Sequence, residues 1–305
     1  MSLLLAMLLG LFCLLYGMSI LRLGLERFAA DAFKRVLDKM TLTPWRGLWS
    51  GTAATALLQS STALSVMTIS FVDAGLIPFE NALGLILGSN IGTTMTTQLL
   101  AFSLDSFIPY ILLLGSLGFL FIPNRYRYLA LSVFGLGLLF LALHLLKTGM
   151  APLAEIPIVQ AFLMQLGDHH FQGVLAGTLL SALLHSSAAT TGLVMLLTEG
   201  GYLTLPTALA FIFGANIGTC FTAVIASFVT NRAAQRVALF HVLLNVFGVL
   251  LFLPLLNPLA YLLEGLGGSL SRQVANAHTV FNLVSSLVVF PFLPLATRFL
   301  TRVLK

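Results

Sequence analysis

Seven stretches of the chain are apolar over a length that can cross a membrane, for which about 20 helical residues suffice. They run at about 3–21, 79–103, 107–122, 128–147, 204–229, 237–256 and 274–296. Two further stretches, 47–72 and 173–198, are free of charge but carry glycine near their start and a Ser/Thr cluster at mid-length. These two predict helical hairpins that enter and leave the bilayer on one side. Residues 22–46 mix Glu26, Arg27, Asp31, Lys34, Arg35, Asp38 and Lys39. With their weakly charged counterpart at 150–172 they predict short interfacial helices. The pattern is that of an all-α polytopic membrane protein.

Composition agrees. Of 305 residues, 58% are hydrophobic and 8% charged, against roughly 25% charged in soluble domains. So few charges cannot cover a soluble surface, and so much apolar sequence is not disordered. The net charge of +5 forms no basic stripe with interleaved aromatics, which argues against a nucleic-acid partner. Cys13 and Cys220 sit in apolar segments and predict neither a disulfide framework nor a metal site. The first charge is Arg22, so no basic leader precedes the first span, and we expect that span to be retained.

The cations report orientation instead. Placing 22–46, 123–127, 230–236 and the C-terminus on one side collects 13 of the 15 Lys and Arg residues. Only Lys147 and Arg272 remain opposite. Cations mark the cytoplasmic side, so the C-terminus is expected inside and the N-terminus outside.

The chain repeats itself. Gly51–Ala101 laid on Gly177–Ser227 matches at 18 of 51 positions. The matches include Ser60-Ser61 with Ser186-Ser187, and Gly88-x-Asn90-Ile91-Gly92-Thr93 with Gly214-x-Asn216-Ile217-Gly218-Thr219. Gly10, Arg22 and Gly24 likewise meet Gly135, Lys147 and Gly149. We read one transmembrane domain over 1–305, with repeats at about 1–125 and 126–256 and a final span at about 274–296. The charge map makes the repeats inverted, an arrangement that secondary transporters use around a midplane site.

Two kinds of segment carry candidate chemistry. Gln59-Ser60-Ser61-Thr62-Ala63-Leu64-Ser65 lies within the first charge-free hairpin. A chain that turns at membrane depth must unwind, and helices restarting there aim N–H groups at the turn. Hydroxyls and an amide at such a turn can hold an anion or, through oxygen, a sodium ion. The Gly88–Thr94 and Gly214–Thr219 motifs interrupt long apolar spans, and we expect each to break its helix, because Gly and Asn tolerate non-helical backbone. A glycine packing seam is the alternative. His241 with Asn245, and His278 with Asn282, share the spacing i, i+4 and read best as buried pairs that tie helices together. Asp73 and Glu199 read as solvated ends of the hairpins, and Arg22 and Lys147 as cations snorkelling from span ends.

Gln59-Ser60-Ser61-Thr62 followed by Gly88-x-Asn90-Ile91-Gly92-Thr93-Thr94, the pair occurring twice, resembles the sodium/phosphate cotransporter family over nearly the whole chain. The resemblance implies an inverted-repeat carrier importing inorganic phosphate with sodium across a bacterial inner membrane. It implies phosphate ligands among Ser60, Ser61, Thr62, Ser186 and Ser187, to which Asn90 and Asn216 are added. Gln59, Ser65, Thr93, Thr94, Thr191, Thr219 and His185 are the candidates for sodium. The second hairpin departs from the family pattern, reading His185-Ser186-Ser187-Ala188. His185 could donate to an anion, carry a proton in place of sodium, or simply fill the glutamine's space. Some relatives carry an additional cytosolic regulatory domain, and here we expect none.

No organic cofactor is expected, and the chain does not read as an enzyme, because no acid/base pair or metal cluster falls at membrane depth. No Walker motif points to ATP. A carrier of another anion and a passive anion channel share the architecture. The sequence gives no oligomeric state.

Overall fold

In a computed structural model, residues 3–40, 43–102, 104–153, 156 and 170–304 are described. Helix α1 (Leu3–Met40) leads to the pair α2 (Pro44–Leu58) and α3 (Ser61–Asp73), then to α4 (Phe79–Leu100) and α5 (Ile108–Phe121). The pattern recurs as α6 (Tyr126–Leu153), α7 (His170–Leu184), α8 (Ser187–Glu199) and α9 (Leu205–Ser227). Helices α10 (Arg232–Phe252), α11 (Leu256–Leu266), α12 (Leu270–Val289) and α13 (Leu293–Val303) complete the chain. Among the described residues, five helical segments are long and apolar enough to cross a membrane, or six if the bent pair α4 and α5 is counted as one span. Large apolar side chains such as Leu114, Leu120 and Phe121 of α5 stand exposed, which suits a lipid-facing surface.

Several boundaries differ from those expected. The first span does not stop at Arg22: α1 runs unbroken to Met40, with no separate interfacial helix at 22–40. Its counterpart at 150–172 lies mostly outside the described residues. Helices α10 and α12 stop short of the ends expected at 256 and 296, giving way to short 3-10 turns at Leu253–Leu255 and Phe290–Phe292, after which α11 and α13 continue each apolar segment. Pro254 and Pro291 lack the N–H that would continue each helix.

The larger correction concerns the glycine motifs. Gly88–Thr94 and Gly214–Thr219 do not break their helices; both lie inside continuous α4 and α9. Their glycines remove side chains where backbones touch. A Cβ on Gly88 would fall 2.0 Å from the Leu48 carbonyl oxygen, and one on Gly214 1.9 Å from that of Val174. Gly84 and Gly92 meet Pro44 and Thr52 of α2, and Gly218 meets Thr178 of α7, in the same way. The packing seam is therefore the correct reading.

These contacts also fix directions. Residues 44, 48 and 52 of α2 pair in order with 84, 88 and 92 of α4, so the two helices run parallel. Helix α3 then leads back from Ser61, beside Ser89, to the start of α4. Helices α2 and α3 thus form a hairpin whose open end lies at the beginning of α4. Helices α7 and α8 form its counterpart beside α9, with Gly177 and Thr178 pairing with Phe211 and Gly218. By contrast, α1 and α6 are antiparallel: Gly10 meets Leu146, Leu21 meets Gly135, Met7 meets Gly149 and Gly24 meets Ser132.

The molecule has two ends. At one, Trp45 packs on Phe290, Asp73 binds Asn231, and Arg236 donates to the Leu304 carbonyl. At the other, Lys147 and Glu199 share a cleft with Asp105, Ser269 and Ser271, and Arg272 binds Gln98. Hairpin α2–α3 opens toward the first end and hairpin α7–α8 toward the second.

Candidate binding site

Each hairpin turns on one left-handed residue. Gln59 has φ 52° and His185 φ 51°, values that non-glycine residues seldom adopt. A hydrogen bond to the neighbouring long helix holds each turn. Thr96 donates to Gln59 Oε1 at 2.7 Å, and His185 Nδ1 lies 2.9 Å from Thr222 Oγ1. These pairs occupy equivalent repeat positions, so the imidazole takes the place of the amide at the turn.

The next residue caps the following helix. Ser60 and Ser186 are extended, and each side chain accepts from the backbone N–H three residues on, at 3.1 Å to Ala63 and to Ala189. Serine is among the best residues for this role. The N–H groups of Ser61, Thr62, Ser187 and Ala188 are left with no protein acceptor among the described residues. Two helix N-termini thereby present free donors and the positive ends of their dipoles.

Both N-termini face the same small cavity. It is lined by Gln59, Ser60, Ser61, Thr62, Thr93 and Thr96 from one repeat and by His185, Ser186, Ser187, Ala188 and Thr219 from the other. Met18 and Arg22 of α1 complete the wall. The volume, about 20 Å³, admits a water-sized occupant; a tetrahedral oxyanion requires the walls to part. Among the described residues no cluster of His, Cys, Asp and Glu could hold a transition metal.

Of the residues singled out in the sequence, the cavity gathers Gln59, Ser60, Ser61, Thr62, Thr93, His185, Ser186, Ser187 and Thr219. It does not gather Asn90, Asn216, Ser65, Thr94 or Thr191. Asn90 Oδ1 faces His241 Nε2 at 3.2 Å, and Asn90 Nδ2 donates to Asn245 Oδ1 at 3.1 Å. An amide oxygen only accepts, so Nε2 carries the proton and Nδ1 is left to accept from Ser65, at 3.4 Å. Asn216 Oδ1 meets His278 Nε2 at 3.1 Å, and His278 Nδ1 lies 3.0 Å from Thr97 Oγ1. The hydroxyls of Thr94 and Thr191 return to their own helices. The buried His–Asn pairs thus tie α4 to α10 and α9 to α12. Asp73 and Glu199 are exposed, and each has a further task. Asp73 Oδ1 accepts from the Asn231 N–H at 2.7 Å and Glu199 Oε1 from the Ser271 N–H at 2.9 Å, at the starts of α10 and α12.

Sequence reasoning missed Met18, Arg22 and Thr96. Thr96 was visible as the repeat partner of Thr222. Arg22 was visible as a cation aligned with Lys147, but a span assumed to end at the first charge put it at the surface.

The profile of the family described as "Na+/Pi-cotransporter" matches the chain twice, over residues 13–148 and 149–269. The chain is 35% identical to "Uncharacterized protein YqeW" of Bacillus subtilis over 93% of its own length and 92% of that protein's. It is 32% identical to "Putative inorganic phosphate export protein YjbB" of Salmonella typhimurium over 96% of its length, spanning about half (54%) of that relative. A shorter stretch, 25% of the chain, is 36% identical to "Sodium-dependent phosphate transport protein 2A" of Oryctolagus cuniculus. No solved structure shows significant similarity to it.

Proposed function

Because the chain belongs to the Na+/Pi-cotransporter family, a family of transporters and not of enzymes, we propose that it carries inorganic phosphate across a membrane, coupled to sodium, by alternating access. The observation that carries this reading is the meeting of two hairpin turns, one from each repeat, on a single cavity. Free N–H groups and serine hydroxyls from both sides suit an oxyanion. The side-chain oxygens of Gln59, Thr93 and Thr219, which also line it, suit a hard cation.

Inverted repeats at about 1–125 and 126–256 are supported by the antiparallel α1–α6 packing and by hairpins that open toward opposite ends. We take the hairpins as re-entrant from opposite sides of the bilayer, with α10 serving the first repeat and α12 the second. The end that holds Arg236 and the C-terminus is then cytoplasmic, in a bacterial inner membrane.

Sodium lends its gradient and offsets the anion's charge. Each net positive charge moved inward gains about 2.3 kcal/mol per 100 mV. A coupled carrier is reversible, so an inward sodium gradient drives import. The name of the Salmonella relative favours a second reading, net export, which requires an outward phosphate gradient that outweighs the sodium term.

The test is phosphate flux in proteoliposomes with an imposed sodium gradient, in either direction, for wild type, Ser60→Ala and Ser186→Ala. Sodium-dependent flux that falls at least tenfold in both variants is the expected result. Flux indifferent to sodium removes the coupling, and flux unchanged by both substitutions removes the hairpin caps from the site.

A further inference from the structure

Met18 and Arg22 are one helical turn apart on α1, and both line the cavity between the hairpins. Leu21, between them in the sequence, is buried against Gly135 of α6. The α1–α6 seam therefore turns the Met18–Arg22 face toward the hairpin caps. Met18 touches one of them, its sulfur 3.8 Å from Ser186 Oγ. Arg22 is half-buried. Among the described residues no side chain or carbonyl is hydrogen-bonded to its guanidinium, and no carboxylate and no other Lys or Arg lines the cavity. The acid whose charge reaches it is Glu26, a further turn along the same helix.

The repeat counterpart has a different setting. Lys147 is exposed and lines a cleft of about 180 Å³ with two acids, Asp105 and Glu199. Carboxylates on that wall repel an anion, whereas the central cavity combines a cation with four unpartnered N–H groups. Among the described residues, only one repeat contributes a fixed charge there.

We propose that Arg22 is the charge partner of the transported oxyanion, binding it through the guanidinium fork opposite the helix N-termini of α3 and α8. This deepens the phosphate-carrier reading and rests on it. A guanidinium matches a tetrahedral oxyanion with two parallel N–H···O bonds, which an ammonium supplies only as a point charge. One negative charge is thus met by the protein, and sodium answers for what remains. Removing the fixed charge weakens anion binding and makes it lean harder on sodium.

The experiment compares wild type, Arg22→Gln, Arg22→Lys and the control Arg27→Gln in proteoliposomes. Phosphate, sulfate and succinate are each titrated as substrates at several sodium concentrations. Folding is followed by size-exclusion profile and thermal unfolding in detergent. The expected result is a tenfold or larger rise in the half-saturating phosphate concentration for Arg22→Gln, with partial recovery in Arg22→Lys and none needed in Arg27→Gln. The half-saturating sodium concentration rises in Arg22→Gln as well, a change that a packing defect does not produce. If Arg22→Gln folds and handles phosphate as wild type does, the assignment of Arg22 is overturned and the phosphate reading stands. If wild type carries sulfate or succinate instead and Arg22→Gln loses it, Arg22 is upheld and the phosphate reading falls. If wild type carries none of the three, both fall. Should Arg22→Gln fail to fold, Arg22→Lys decides: unchanged anion affinity and selectivity overturn the fork-specific role.

Discussion

His185 Nδ1 stands 2.9 Å from Thr222 Oγ1. The contact holds a left-handed turn in the second hairpin, as the Gln59–Thr96 contact does in the first. The imidazole thus occupies, at its turn, the place that the Gln59 amide occupies in the first hairpin. His185→Gln is expected to keep at least half of wild-type flux, because glutamine can rebuild the bond seen at Gln59. His185→Ala loses the bond and is expected to lower flux several-fold. Flux assays on the two variants, repeated between pH 6 and 8, check this; a pH dependence lost in His185→Gln would give the ring a titrating role instead.

The glycines of α4 and α9 are expected to be the least replaceable positions in the long helices. Gly88→Ala or Gly214→Ala drives a methyl into a backbone carbonyl at about 2 Å, which no rotamer change relieves. Overpacking of this kind typically costs about 1–3 kcal/mol or more. Gly265→Ala, in α11 with open space around its Cα, is expected to be neutral or to stabilise by up to about 1 kcal/mol from helix propensity. Thermal unfolding in detergent separates the two outcomes.

Asn90 is expected to matter for stability more than for affinity. Asn90→Ala leaves His241 Nε2 without its acceptor and Asn245 Oδ1 without its donor, both fully buried. Such orphaned groups cost about 1–3 kcal/mol each. A lowered unfolding temperature with an unchanged half-saturating phosphate concentration is the expected pair of results. The reverse pattern would return Asn90 to the binding site.

Asp73 and Glu199 are expected to act as caps borrowed from another segment. Asp73→Ala removes the acceptor for the Asn231 N–H at the start of α10, and Glu199→Ala that for Ser271 at the start of α12. Each is expected to cost about 0.5–2 kcal/mol. Asp73→Asn, which keeps an oxygen acceptor, recovers most of it. Denaturant titration of the three variants checks the order.

Much of this was legible in the sequence, and the failures are instructive. The repeat showed because Gly, Ser and Asn recur at membrane depth, where chance favours Leu and Val. The hairpins showed because 47–72 and 173–198 combine apolar length with hydroxyls. The glycine motifs were misread because glycine serves two opposite ends, freedom of the backbone and close approach to another backbone. Composition does not distinguish them. The actual breaks fall on Gln59 and His185, whose left-handed turns depend on Thr96 and Thr222, 37 residues away in each case. Asn90 and Asn216 looked like ligands because their partners, His241 and His278, are still more distant. Arg22 was hidden by equating the first charge with the end of a helix.

The seam between α1 and α6 has one more consequence. Its contacts exchange under the repeat offset: Gly10 on Leu146 becomes Gly135 on Leu21, and Met7 on Gly149 becomes Ser132 on Gly24. A surface that is its own complement in this way is the isologous interface of a two-fold dimer, here closed within a single chain. Tethered partners re-meet at an effective concentration on the order of millimolar. The two faces are therefore favoured to pair with each other, in register, over pairing with a second copy of the chain.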